Sequence, residues 1–122
     1  MKRISLLNTS IMTVRDACYK YKSATIADCR QLMATAMAEG TEIISAIGHE
    51  STAEIMIGLL NYPVKVNRIQ YQQAEEDIAI VFKMNGRPLE GKILTSVEIE
   101  EIGYSFGIIR RIDFVEKMGV KI

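Results

Sequence analysis

The residues that could do chemistry lie in a few short stretches of this 122-residue chain. The only histidine, His49, stands in the most suggestive one, Ser45-Ala46-Ile47-Gly48-His49-Glu50-Ser51-Thr52. An apolar run leads into Gly48-His49, and Ser51-Thr52-Ala53-Glu54 has capping-box spacing. A strand is therefore expected to pass into a helix that begins near Thr52. A helix N-terminus offers unpaired N–H donors and the positive end of the dipole, which suits a phosphate. Gly48 would let the backbone approach such a ligand closely. A bound phosphate favours the protonated form of a neighbouring imidazole, which could then hand a proton to a leaving oxygen. The same histidine could instead only cap or pack.

Three further stretches could serve phosphate chemistry. Arg68, in Asn67-Arg68, could grip a phosphate bidentately or be an ordinary sheet charge. Tyr71 could stack on a base or lie half-buried against the sheet. In Arg87-Pro88-Leu89-Glu90-Gly91, Arg87 could stabilise the extra charge of a phosphorane-like transition state. Glu90 could accept a proton or orient Arg87 or a ribose hydroxyl; the plainer reading is a solvated loop with an ion pair. Asn8 and Ser10, with Thr9 between them, could hold ribose or phosphate, or satisfy their own turn. The chain has no Walker loop, GxGxxG, HExxH or GxSxG pattern. One histidine and scattered acids do not make a zinc site. Metal-free general acid–base chemistry without a cofactor fits this inventory best.

The elements that must position these groups read as alternating strands and helices. Ile4 to Met12 is expected to be a strand, and Thr13 to Ala24 a loop. Thr25-Ile26-Ala27-Asp28 is a capping box that opens a helix closed by Gly40. Glu42 to Ala46 is a short strand, and the helix after His49 ends at Asn61-Tyr62-Pro63. Val64 to Ile69 alternates as a strand, and Gln72 to Glu76 is a polar turn. Asp77 to Met84 is the most apolar run and should lie centrally, buried on both faces. Thr95-Ser96-Val97-Glu98 opens a short helix ending at Gly103, and Tyr104 to Asp113 is the last strand. The expected fold is α/β: a mixed central sheet flanked by helices, one domain over residues 1–115 and a tail over 116–122. The mixed character follows from the connection into the Asp77 strand, which is short enough for a hairpin.

Composition sets the outer limits. The chain is 48% hydrophobic and 25% charged, as in soluble globular domains. Its 15 basic and 15 acidic residues balance, which argues against long nucleic acid as the main partner but not against a small ligand with a few phosphates. No apolar stretch approaches the roughly 18 residues of a membrane helix. Asn8, Thr9 and Ser10 interrupt the apolar N-terminal run, so export is not expected. Cys18 and Cys29 lack CxxC spacing and are expected to be free thiols in a reducing cytoplasm.

Five stretches together carry a family resemblance: Leu7-Asn8-Thr9-Ser10, Ser45 to Thr52, Val66-Asn67-Arg68-Ile69, Arg87 to Lys92 and Glu101-Ile102-Gly103-Tyr104. With them the chain resembles the type III anti-CRISPR ring nucleases of archaeal viruses and phages, and their bacterial relatives. The resemblance implies a homodimer with the ligand pocket across its two-fold axis. It implies cleavage of cyclic tetra-adenylate to linear di-adenylate ending in a 2′,3′-cyclic phosphate. His49, Arg87 and Glu90 would be the catalytic positions, with His49 the general acid. Asn8, Ser10, Gly48, Arg68, Tyr71 and Gly91 would contact the ligand. The nucleophile would be the substrate's own 2′-hydroxyl, so neither a metal nor a protein nucleophile is required. A two-fold dimer would present equivalent histidines to opposite phosphates of a four-fold ring. The other readings are a nucleic-acid-binding module and a non-catalytic sponge for a cyclic oligonucleotide.

Overall fold

The computed structural model describes residues 3–11, 17–74, 76–86 and 95–111. The elements run in the order β1 (Arg3–Leu7), β2 (Tyr19–Ala24), α1 (Ile26–Glu39), β3 (Glu42–Ser45), α2 (Glu50–Leu60), β4 (Ile78–Met84), α3 (Ser96–Ile102) and β5 (Tyr104–Arg111). The five strands form one sheet in the order β2-β5-β4-β1-β3. β1 pairs parallel with β3 and with β4. β5 pairs antiparallel with β4 and with β2.

Alternation along the strands divides the apolar residues between the two faces of the sheet. Ile4 and Leu6 of β1, Ile80 and Phe82 of β4 and Phe106 of β5 meet Cys29, Met33 and Ala36 of α1 and Ala53, Met56 and Leu60 of α2. Phe82 anchors this core, with the Phe106 and Tyr104 rings at 5.3 and 5.9 Å. Burying such a side chain contributes about 1.5–3 kcal/mol. The opposite face carries a smaller cluster of Leu7, Ala79, Val81 and Ile109 covered by Tyr71. β4 is thus the central strand, buried from Ile78 to Phe82, as its apolar run predicts.

The caps follow the sequence closely at α1 and α3. Thr25 and Asp28 form the full capping box that starts α1, and this bonding holds the Asp28 carboxyl below its usual range. Gly40 ends α1 in the left-handed region at φ 70°, where a side chain would be strained. Thr95 and Glu98 repeat the box at α3. Arg30 of α1 donates through Nε to the Leu59 carbonyl at 2.7 Å, satisfying one of the open carbonyls at the end of α2.

Beyond α2 the chain changes faces. Leu60 and Val64 belong to the helix-side core, whereas Tyr71 belongs to the opposite cluster. Between them Val66 makes an isolated parallel bridge to Ile47, just past the edge strand β3. The returning segment is then pinned under the sheet. Asp77, only 2% exposed, receives Arg3 Nε and Nη2 at 3.1 and 2.6 Å and the Ala74 N–H at 2.8 Å. Buried Gln73 donates to the carbonyls of Asp77 and Ile109.

Five expectations need correction. Ile4 to Met12 is not one strand: β1 ends at Leu7, where the polar Asn8-Thr9-Ser10 stretch bends away. Tyr19 to Ala24 is strand, not loop: it is the exposed edge strand β2, with tyrosines on one face and lysines on the other, so it lacks an apolar stripe. Val64 to Ile69 is not a strand beyond the Val66 bridge, because side chains of Asn67 and Arg68 replace ladder bonds there. The helix after His49 begins at Glu50 rather than near Thr52, with the Ala53 N–H already bonded to the His49 carbonyl at 3.1 Å. The sheet is mixed because β5 inserts between β4 and β2, not because of a hairpin into β4. The proposed tail at 116–122 lies outside the described residues.

The two cysteines should differ in reactivity. Cys29 is fully buried, and burial pushes its thiol up to about 11, whereas Cys18 is half-exposed. Native protein treated with iodoacetamide at neutral pH is expected to alkylate at Cys18 and spare Cys29. Peptide mass mapping with equal labelling of both would refute this.

Tyr71 gives a second test. Its hydroxyl lies beside Ser5, and neither hydroxyl makes a hydrogen bond of good geometry. Tyr71→Phe is expected to keep or raise stability, by up to about 1 kcal/mol. Burial also raises the phenol above its ordinary value. The folded state therefore favours the neutral form. That contribution is complete below the unfolded value of about 10 and is lost as pH rises through the folded one. Thermal melts from pH 8 to about 10.5 should fall less steeply for Tyr71→Phe than for the native chain, and parallel decline would disprove the assignment.

Candidate functional site

The carboxyl ends of β1 and β3 place the candidate groups. These adjacent parallel strands send their following segments to opposite faces. β3 leads into α2, which packs on the helix side. β1 leads to Ser10 and Ile11, which line a cavity of about 490 Å³ with Tyr19, Tyr21, Lys83 and Ile109 on the other face. Such a divergence at strand carboxyl ends is where open α/β sheets bind ligands.

His49 is the N-cap residue of α2, with extended backbone at φ −127° and ψ 131°. Its side chain makes no capping bond and is exposed. The first-turn N–H groups that follow it therefore receive no cap from His49. Glu50 in that turn interacts favourably with the helix dipole. The early helix start brings His49 closer to these donors than the Ser51 capping box implies.

The approach to His49 is braced from its side. Asn67 donates through Nδ2 to the Ser45 carbonyl at 2.8 Å, and its N–H reaches the Ile47 carbonyl at 2.8 Å. Ser45 Oγ donates to the Lys65 carbonyl at 2.5 Å and accepts the Ile47 N–H at 3.2 Å. Arg68 Nε donates to the Gly48 carbonyl at 2.9 Å. One edge of its guanidinium is thus used to hold the turn before His49, while the side chain stays exposed for an anion. A Cβ at Gly48 would meet Arg68 Cγ at 3.6 Å, an ordinary van der Waals contact, so this contact does not itself demand glycine. Arg68 also lines a cavity of about 520 Å³ with Glu50, Ala53, Glu54, Val64, Lys65 and Val66.

The structure brings Gly48, His49 and Arg68 together and sets half-buried Asn8 at the same end of β1. Ser10 faces the separate cavity on the face opposite the described helices. Tyr71 is not at the site: it is 8% exposed in the second cluster, with the Arg3 guanidinium 5.5 Å from its ring centre, so its face is not offered to a base. Arg87, Glu90 and Gly91 lie outside the described residues. Ser45, Asn67, Lys65 and Glu54 were missed as part of the site. Asn67 beside Arg68 was the available signal, but its role depends on a carbonyl 22 positions away. Among the described residues no group of three His, Cys, Asp or Glu could hold a metal ion, and no helix is long and apolar enough to cross a membrane.

The chain as a whole has viral and bacterial relatives. The chain is 30% identical over 94 residues to uncharacterized protein 26 of Sulfolobus islandicus filamentous virus, covering 76% of this chain and 75% of that protein. It is 31% identical over 108 residues to uncharacterized protein ORF117 of Acidianus two-tailed virus, covering 88% and 92%. A bacterial relative, uncharacterized protein YddF of Bacillus subtilis, is 33% identical over 69 residues, covering 57% and 64%. The solved structure of B116 of Sulfolobus turreted icosahedral virus has the same fold, with a TM-score of 0.74 over 90% of this chain and 99% of that one at 24% identity. Residues 4–106 match a single family description, and the chain belongs to the STIV B116-like family.

Proposed function

We propose that this protein is a metal-independent ring nuclease that opens cyclic tetra-adenylate. The observation that carries the reading is the position of His49, exposed and without a capping bond at the start of α2 beside the tethered Arg68. In this reading a phosphate of the ring rests on the first-turn N–H groups and Arg68. A ribose 2′-oxygen attacks the adjacent phosphorus in line, forming one P–O bond as the bond to the 5′-oxygen breaks. His49 gives its proton to the departing 5′-oxygen, and Glu90 takes the proton of the 2′-hydroxyl. Arg87 shares the charge that builds on the phosphorus oxygens. The product is linear di-adenylate with a 2′,3′-cyclic phosphate. A homodimer would present two copies of His49 to one ring.

The direct test is single-turnover incubation of the full chain with cyclic tetra-adenylate in excess EDTA. Conversion to di-adenylate supports the reading. Tight binding with intact ring identifies a sponge instead. Retention of long single-stranded RNA with a steep salt dependence, again without cleavage, identifies a nucleic-acid-binding module.

A further inference from the structure

A second charged cavity lies at the opposite edge of the sheet. It measures about 310 Å³ and is lined by Lys20, Lys22, Ser23, Ala24, Asp28, Ile108 and Arg110. Lys20 and Arg110 are direct cross-strand partners, and Lys22 sits opposite Ile108. Strand alternation puts all three cations on the helix side of β2 and β5. Like charges placed directly opposite one another oppose pairing of the strands. Among the described residues none of the three forms an ion pair. The one lining carboxylate, Asp28, uses Oδ2 to accept the Thr25 N–H in the α1 capping box. Lys22 is within Coulombic reach of it.

The charge at this cavity is therefore only partly compensated in a chain that is neutral overall. Three cations against one carboxylate leave a local excess of +2. A phosphate monoester carries about −1.5 to −2 near neutral pH, which matches that excess. The first turn of α1 contributes Asp28 to the lining, so the positive end of this 14-residue helix adjoins the cavity as well.

We propose that this cavity binds a dianionic phosphate group, free or at the end of a phosphomonoester, through Lys20, Lys22 and Arg110. The site is separate from the one at His49. β2 and β3 are the two edges of the five-stranded sheet, about 19 Å apart at roughly 4.8 Å per strand.

The test is heteronuclear NMR of the nitrogen-15-labelled full chain, titrated at constant ionic strength with inorganic phosphate and, separately, with adenosine monophosphate. Saturable shifts are expected at residues 20–28 and 108–110, and they should persist in Arg68→Ala. Lys22→Gln and Arg110→Gln should each raise the dissociation constant by about tenfold, the effect of one lost charge-assisted bond. Both substitutions fall on exposed side chains, and unchanged circular dichroism will confirm that the variants fold. Equal affinity for the two probes identifies free phosphate as sufficient, and tighter binding of the monophosphate identifies a carried phosphate. Shifts confined to residues 47–53, shifts that chloride reproduces, or dissociation constants unaltered in both variants overturn the proposal.

Discussion

His49→Ala is expected to slow cleavage of cyclic tetra-adenylate by about 10²–10⁴-fold in the presence of EDTA, the usual contribution of a positioned general acid. The size of the effect follows from the leaving group. A departing 5′-alkoxide is a poor leaving group in water, and the described part of the site offers one imidazole to protonate it. Because the side chain is exposed and makes no capping bond, its removal should leave the fold intact. Matching thermal midpoints for the variant and the native chain would separate lost chemistry from lost structure. Ring binding should persist, since the helix N–H groups and Arg68 are unchanged. Turnover by His49→Ala within a factor of three of the native rate would remove His49 from the mechanism. Arg68→Ala should act differently, chiefly weakening ring binding, because in the proposed reading its guanidinium holds phosphate while Nε fixes the Gly48 carbonyl.

Arg3→Ala is expected to cost about 3 kcal/mol of stability, within the range for breaking a buried ion pair from one side. For a chain of this length the midpoint of thermal unfolding should drop by about 10 °C. The asymmetry of exposure explains why the arginine is the costly partner to remove. Asp77 is 2% exposed and Arg3 25%. Without Arg3 the carboxylate stays buried with the Ala74 N–H as its remaining described partner, whereas without Asp77 the guanidinium can turn toward water. Asp77→Asn should therefore cost less, and Asp77→Ala should be milder on the Arg3→Ala background than alone. Urea denaturation of the four chains checks this cycle, and strictly additive losses would show that the pair is not coupled. Arg3 also reaches the Gln72 carbonyl at 2.9 Å, so part of its loss should appear as loosening of the segment from Tyr71 to Asp77.

The fold is legible in the sequence where local rules act alone. The boxes Thr25–Asp28 and Thr95–Glu98, the left-handed Gly40 and the doubly buried β4 each depend on a handful of neighbouring residues. It is not legible where distant partners decide. Val64 to Ile69 alternates like a strand, yet Asn67 and Arg68 spend their side chains on carbonyls of the Ser45–Gly48 turn. Ser51-Thr52-Ala53-Glu54 has the pattern of a helix start, yet the helix has already begun at Glu50. Tyr19 to Ala24 becomes a strand because β5 pairs with it, not because of its own periodicity. At the candidate site, His49 and Arg68 were legible as residue types with phosphate chemistry. Their mutual position was not, because it is set by a chain that returns past the edge of β3 after α2.

The place of β5 in the sheet has a consequence for how the molecule is made. β2 precedes β5 by most of the domain and, among the described residues, pairs with no other strand; Tyr19 pairs with Arg111. Neither β2 nor the open side of β4 can be satisfied until the chain has been extended through Arg111. The parallel pairings of β1 with β3 and β4, by contrast, can form earlier on the emerging polypeptide. A ribosome-bound chain that stops short of Tyr104 thus presents two unpaired strand edges at once, one exposed and one apolar. Closure of the sheet must wait for β5, which makes this a slow, non-local step and the interval before it a period of exposure to aggregation.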